Sequence, residues 1–377
     1  MPRDDALHAI FGVNLALRRA ERVLVFTDLP SPEENLEEKE REQRRRLPAL
    51  ARRLARVGRE DFGAQVRYVE FGATGSHGAE PPSELWRAAF GDRAVDALRD
   101  AGLLAPLIAK TLPEEGLARA EEILLSARGE AVQAVAALSH YSTSHTAFRR
   151  FLTRLAGARF ASMPLFDEEM LSGPMLVDWQ AMARRTRAVA ALLGAARQVQ
   201  VTTPEGTSLA FSTGGREGEA DTGLLSEPGS FGNLPAGEAY LAPLEGTARG
   251  RLVLLWAPTR KLASPVTLQV EGGRVRHIEG REEFASTLAG RLSEREENAN
   301  VAEFGVGTND RASRADNILE SEKILGTVHV ALGDNSAFGG RVKTPFHQDF
   351  VFFGPTVVLT LGTGERRSLL REGTLAL

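Results

Sequence analysis

Near residue 195 the chain changes its hydrophobic period, and that switch constrains the fold more than any single motif. Before it, short apolar runs at about 23–27, 66–70, 131–138 and 159–163 alternate with helix-length segments at about 6–20, 33–57, 82–100, 117–126, 146–156 and 178–194. Strands alternating with helices of this length predict an α/β domain with a mostly parallel sheet. Beyond the switch, QVQVTTPEGTSLAFST reads as a hairpin around a Pro-Glu-Gly turn. GRLVLLW, SPVTLQVEGGRVRHIEG, ANVAEFGVGTN, TVHVAL and FVFFGPTVVLTL continue in the same style, interrupted by one helix at about 281–297. The predicted fold is therefore an N-terminal α/β domain, residues 1–195, followed by a mixed, β-rich α+β domain, residues 196–377. Residues 214–237 are rich in glycine and read as a long loop, which in a compact domain is often functional.

At 377 residues the chain is long enough for two cores of ordinary size. With 46 basic and 50 acidic residues the net charge is −4, so no nucleic-acid partner is expected. The chain has no cysteine. Disulfides, thiolate zinc sites and cysteine nucleophiles are thereby excluded, and any metal must sit on nitrogen and oxygen ligands. The first residues carry charge at Arg3, Asp4 and Asp5, and no run approaches ~18 uninterrupted apolar residues. A cytoplasmic protein with no membrane segment is the expectation.

The chemistry concentrates in the C-terminal fifth, where His329, His347 and Asp349 lie in strand-like, glycine-broken sequence. Residues i and i+2 of a strand share a face, so His347 and Asp349 can reach one ion at ~2.0–2.2 Å. A solvated histidine and aspartate would explain them too, but Phe346, Phe350, Phe352 and Phe353 mark a buried run in which an unpaired aspartate is costly. His329, in VHVAL, reads alone as a satisfied core histidine and gains weight as a third ligand beside that pair. Glu303 and Glu238 lie in similar apolar surroundings, although glutamates are usually solvent-facing. Five ligands of type Glu, Glu, His, His and Asp would suit two divalent ions sharing a carboxylate. Lys323 could orient a carboxylate or meet a substrate terminus, an exposed Glu322–Lys323 pair being the alternative. His140 and His145 flank a Ser/Thr cluster that helix capping explains equally well.

The segments NLPAGEAY, NVAEFGVGTN, EKILGTVHVALGDN with FGG, and FHQDF resemble the thermophilic metallo-aminopeptidase family (aminopeptidase T, aminopeptidase S and PepS, with relatives labelled leucyl aminopeptidase). LSHYSTSHTAFRRFL and GARFASMP extend the resemblance over most of the chain. It implies an N-terminal α/β domain, a C-terminal catalytic domain and a homodimer. Glu238, Glu303, His329, His347 and Asp349 would bind two ions of zinc, cobalt or manganese, with Glu303 bridging. The implied activity is hydrolysis of N-terminal residues from peptides by a metal-activated water, with peptide as the partner. The sequence departs from that family at Ser336, where active members carry a tyrosine able to stabilise an oxyanion. Tyr240, two residues past Glu238, is the candidate substitute. Ring-opening dihydroxypyridine dioxygenases resemble the same family and need only His329, His347 and Asp349, around one non-haem iron. A catalytically silent relative is the third alternative.

Overall fold

The computed structural model of the chain describes residues 2–31, 34 and 38–377. Its contacts form two compact units, one running to Leu176 and including Gly223–Pro235, the other made of Val177–Thr222 and Ala236–Leu377. Among the described residues no helix is long and apolar enough to cross a membrane.

The first unit is built on a parallel sheet in the order Gln65–Gly72, Arg22–Leu29, Ala134–Ala137, Arg159–Ser162, Phe231–Asn233. The first four strands fall where the apolar runs predict them. Helices cover the sheet, and their aromatic faces meet: Trp86 stacks on Phe90 at 5.4 Å and lies edge-on to Phe148 at 5.3 Å. The helix expected at 33–57 is observed as Glu38–Glu60, residues 33 and 35–37 lying outside the described residues. The helix expected at 82–100 is two, Ser83–Phe90 and Asp92–Asp100, because Gly91 (φ 88°) turns the chain between them. The predicted long loop at 214–237 instead contains two three-residue strands, Glu219–Asp221 and Phe231–Asn233. Strands that short, flanked by glycine, are too brief to show an alternation. The second of them places residues 223–235 in the first unit.

The second unit has two sheets facing one core. An eight-stranded sheet contains the predicted hairpin, Ala196–Thr202 paired with Ser208–Ser212. The other is an antiparallel sheet in the order His347–Phe352, Val328–Gly333, Val301–Gly307, Glu238–Leu241, Glu219–Asp221. Phe350 and Phe352, Val328 and Val330, Phe304 and Val306, and Ala239 and Leu241 of the latter join the core. There Phe304 packs on Phe211 at 5.2 Å between ring centroids. Burying each such Val or Phe contributes roughly 1.5–3 kcal/mol. These residues therefore fix the register, and the intervening residues are committed to the opposite face. The helix Trp179–Ala195 packs on this unit through Val189, Ala190 and Leu193, which moves the division to residue 177 from the 195 read in the sequence.

Candidate metal centre

Strand alternation brings all five predicted ligand residues onto that opposite face. His347 and Asp349 lie on one strand, His329 on the next, Glu303 on the third and Glu238 on the fourth. Register aligns them: Asp349 and Glu303 both stand opposite Ala331, and Gly305 stands between His329 and Tyr240. A bulge sits between Val301 and Glu303. The extra residue, Ala302, lets both Val301 and Phe304 face the core while Glu303 faces the site.

The side chains converge on Glu303. Its Oε1 is 3.2 Å from His329 Nε2 and its Oε2 is 3.6 Å from His347 Nε2. His347 Nε2 is also 3.7 Å from Asp349 Oδ2, and His329 Nε2 is 3.4 Å from Glu238 Oε2. Two groups with metal-binding spacing result, Glu238–Glu303–His329 and Glu303–His347–Asp349, with Glu303 common to both.

The tautomer of His347 follows from its other nitrogen. Nδ1 lies 2.8 Å from the backbone carbonyl of Asp334, which can only accept, so Nδ1 donates. In the neutral ring the Nε2 lone pair then points at two carboxylates, an arrangement that needs a cation or a proton between them. Burial pulls both imidazoles down, but the carboxylates outweigh it and lift His329 to about 9 and His347 to about 10. Burial also pushes the Glu303 carboxyl up, against the pull of the His329 hydrogen bond. Asp349 is driven the other way, to about 2, because His347 overcomes its burial. Glu238 Oε2 and His329 Nδ1 are buried without a hydrogen-bond partner. Paired imidazoles facing acceptor-only carboxylates fit a divalent cation.

Space for His329 comes from Gly305. A Cβ there would lie 2.1 Å from Cε1 and 2.2 Å from Nε2 of the imidazole, so the ring can take this place only because that position has no side chain. Lys323, which the sequence leaves between a role at the site and an exposed pair with Glu322, is fully buried. Its Nζ donates to Glu238 Oε1 at 2.6 Å and to Glu322 Oε1 at 2.5 Å. Burial opposes its charge, but Glu238 and Glu322 hold its pKa well above the ordinary lysine value.

Ser336 does not approach this chemistry: its hydroxyl donates to Asp334 Oδ1 at 3.0 Å in an exposed turn. Tyr240 is on the site face, its phenol pushed far above its usual range by burial and then by the Glu303 and Glu238 charges. Its ring meets Phe338 edge-on at 5.7 Å, and Phe338 meets His347 edge-on at 6.1 Å, giving the site an aromatic side. His140 belongs to the first unit, with its backbone N–H on Asp28 at 2.6 Å. Helix capping beside it is by Thr146, which accepts from the Arg149 N–H. The roles of Gly305, of the bulge at Ala302 and of the Asp334 carbonyl have no signal in residue type; only register reveals them.

The sequence profile of the NicX family, described as 2,5-dihydroxypyridine 5,6-dioxygenase, matches residues 166–363, just over half of the chain and all of this site. No curated protein matches in a sequence search. Among solved structures, 2,5-dihydroxypyridine dioxygenase from Pseudomonas putida KT2440 is similar with a TM-score of 0.65 and 19% identity, over 99% of this chain and 96% of that one. Wild-type AmpT from Thermus thermophilus is similar with a TM-score of 0.57 and 16% identity, over 100% and 99%. The resemblance to the thermophilic aminopeptidases thus holds at the level of fold, while the family profile is that of the ring-opening alternative.

Proposed function

The chain belongs to the NicX family, and from that premise we propose that it is a mononuclear non-haem iron dioxygenase that opens an electron-rich, hydroxylated pyridine ring. The observation that carries this reading against a two-metal peptidase is the state of Glu238. One of its oxygens is already engaged by the buried ammonium of Lys323, so that end of the ligand set holds a resident cation. His329, His347, Asp349 and Glu303 remain; the first three are the two-histidine, one-carboxylate set that suits Fe(II) oxygen chemistry, and Glu303 is left for proton transfer. When bound, the ion supplies the redox chemistry by which dioxygen reacts with the ring.

The protein's own residues have separable tasks. Asp334 holds His347 through Nδ1, which keeps Nε2 free for the ion. Glu303, buried between the two histidines, is the residue to which we assign removal of a proton from a ring hydroxyl at its Oε atoms. Tyr240 and Phe338 offer aromatic faces beside His347 against which a planar ring can lie.

A second reading has one specific observation in its favour. Glu303 is shared by both metal-spaced groups, which is where a carboxylate bridging two ions would stand. That reading is a zinc- or cobalt-dependent aminopeptidase releasing N-terminal residues. The two separate in one experiment. Chelated protein loaded anaerobically with Fe(II) is expected to consume 2,5-dihydroxypyridine and dioxygen in equal amounts and to leave leucine p-nitroanilide untouched. Release of p-nitroaniline on addition of Zn²⁺ or Co²⁺, with no oxygen uptake under iron, would establish the peptidase instead.

A further inference from the structure

Ring opening as described above gives Lys323 no task, yet the fold goes to some length to place it. The residue follows the short helix Ile318–Ser321. Its carbonyl accepts from Asn309 N–H at 2.8 Å, and the next turn is tied back by Leu325 N–H to Asn309 O at 3.0 Å. The preceding loop is pinned by Glu320, which accepts from the Ser313 and Arg314 N–H groups. Gly307, the residue paired with Glu238, admits this segment, since a Cβ there would lie 2.0 Å from the Ile324 carbonyl oxygen. The outcome is an ammonium with no solvent exposure, 2.6 Å from Glu238 and 2.5 Å from Glu322.

A second divalent ion in this centre would draw on Glu238 and Glu303, the carboxylates of the metal-spaced group on the Glu238 side, with His329 of that group already a ligand of the first ion. We propose that Lys323 is the residue that fixes the centre at one ion, its ammonium standing as a permanent cation at the Glu238 end and excluding a second metal. The proposal rests on the mononuclear reading above. A lysine suits the task because it is a compact point charge with three donors, and like charge disfavours a nearby metal ion. Without it, Glu238, Glu322 and Glu303 would form an uncompensated cluster of carboxylates, a donor type that holds zinc or manganese.

The test counts ions in the full-length protein. Chelated protein is titrated with Zn²⁺ by calorimetry, and bound zinc is measured after desalting. The wild type is expected to take one ion per chain and Lys323→Met two. Glu238→Gln, with Lys323 present, should still take one, with affinity lowered by less than about tenfold, since Glu238 serves the lysine and not the ion. Two ions in the wild type, a larger loss in Glu238→Gln, or one ion in a folded Lys323→Met would each overturn the proposal. Should Lys323→Met not fold, the wild-type count and Glu238→Gln decide. Ring cleavage is scored separately. One zinc per chain with no ring cleavage under iron retires the dioxygenase reading and leaves this proposal standing. Ring cleavage together with a one-ion, folded Lys323→Met does the reverse.

Discussion

A ligand's geometry here depends as much on the residue that is absent beside it as on the ligand itself. His329 is legible in the sequence as a histidine in an apolar strand, but its usefulness is set by Gly305 on the neighbouring strand. The φ of Gly305 is not in the left-handed region, so its role is space rather than backbone freedom. Gly305→Ala would push a methyl group into the imidazole, and the ring has to swing away from Glu303. We expect a loss of metal affinity of at least about tenfold, comparable to the loss of an orienting partner. The cost in stability should be about 1–3 kcal/mol, as for an overpacked core position. Metal titration and denaturant unfolding of the same variant check this; unchanged affinity would show that His329 does not bind the ion. Ser336 makes the converse point. Read by position it suggests a lost catalytic hydroxyl, yet its hydroxyl closes a turn on Asp334, the residue whose carbonyl holds His347.

Elements place residues that composition cannot, and the segment after the strand Ala134–Ala137 shows how. His140 is held there by its N–H bond to Asp28 and packs edge-on against Tyr141 at 4.8 Å. Burial, then the Arg44 and His77 charges, lower its pKa to about 4. The Glu34 charge pulls the other way and is outweighed. An unfolded histidine titrates near 6.5, so between about 6.5 and 4 the unfolded chain binds the extra proton. The stability His140 contributes is complete above about 6.5 and is lost as pH falls toward 4, at most about 3 kcal/mol. Unfolding at pH 7 and pH 4.5 should show a steeper decline in the wild type than in His140→Gln; equal declines would refute the assignment. Element existence was largely readable from the sequence: the strands carrying His329, Glu303 and Asp349 fall where alternation predicts. The bulge at Ala302 was not, because a single extra residue between Val301 and Phe304 leaves the apolar pattern looking continuous. The strand Phe231–Asn233 was hidden for the opposite reason, being too short to have a pattern at all.

At the scale of the whole molecule, the two units have separate cores, and this gives metal binding a thermodynamic signature. The first core draws on residues between Leu24 and Phe160, the second on residues between Val189 and Leu370, with no residue in common. All five candidate ligands and Lys323 belong to the second unit. An ion that binds only the folded form stabilises the unit that contains its ligands, by about 2.7 kcal/mol at a free concentration one hundred times Kd. For a unit of this size that corresponds to a rise in Tm of roughly 5–10 °C. Calorimetry of metal-loaded protein is therefore expected to resolve two transitions, of which chelation lowers one by that amount and leaves the other in place. Limited proteolysis during the scan should assign the moving transition to Val177–Thr222 together with Ala236–Leu377. Asp349→Asn should bring the loaded protein down to the chelated value, because the ion then loses the carboxylate with the lowest pKa of the set. If both transitions move together on chelation, the ion stabilises more than its own unit. If neither moves, the five residues gathered on that sheet face do not hold a metal.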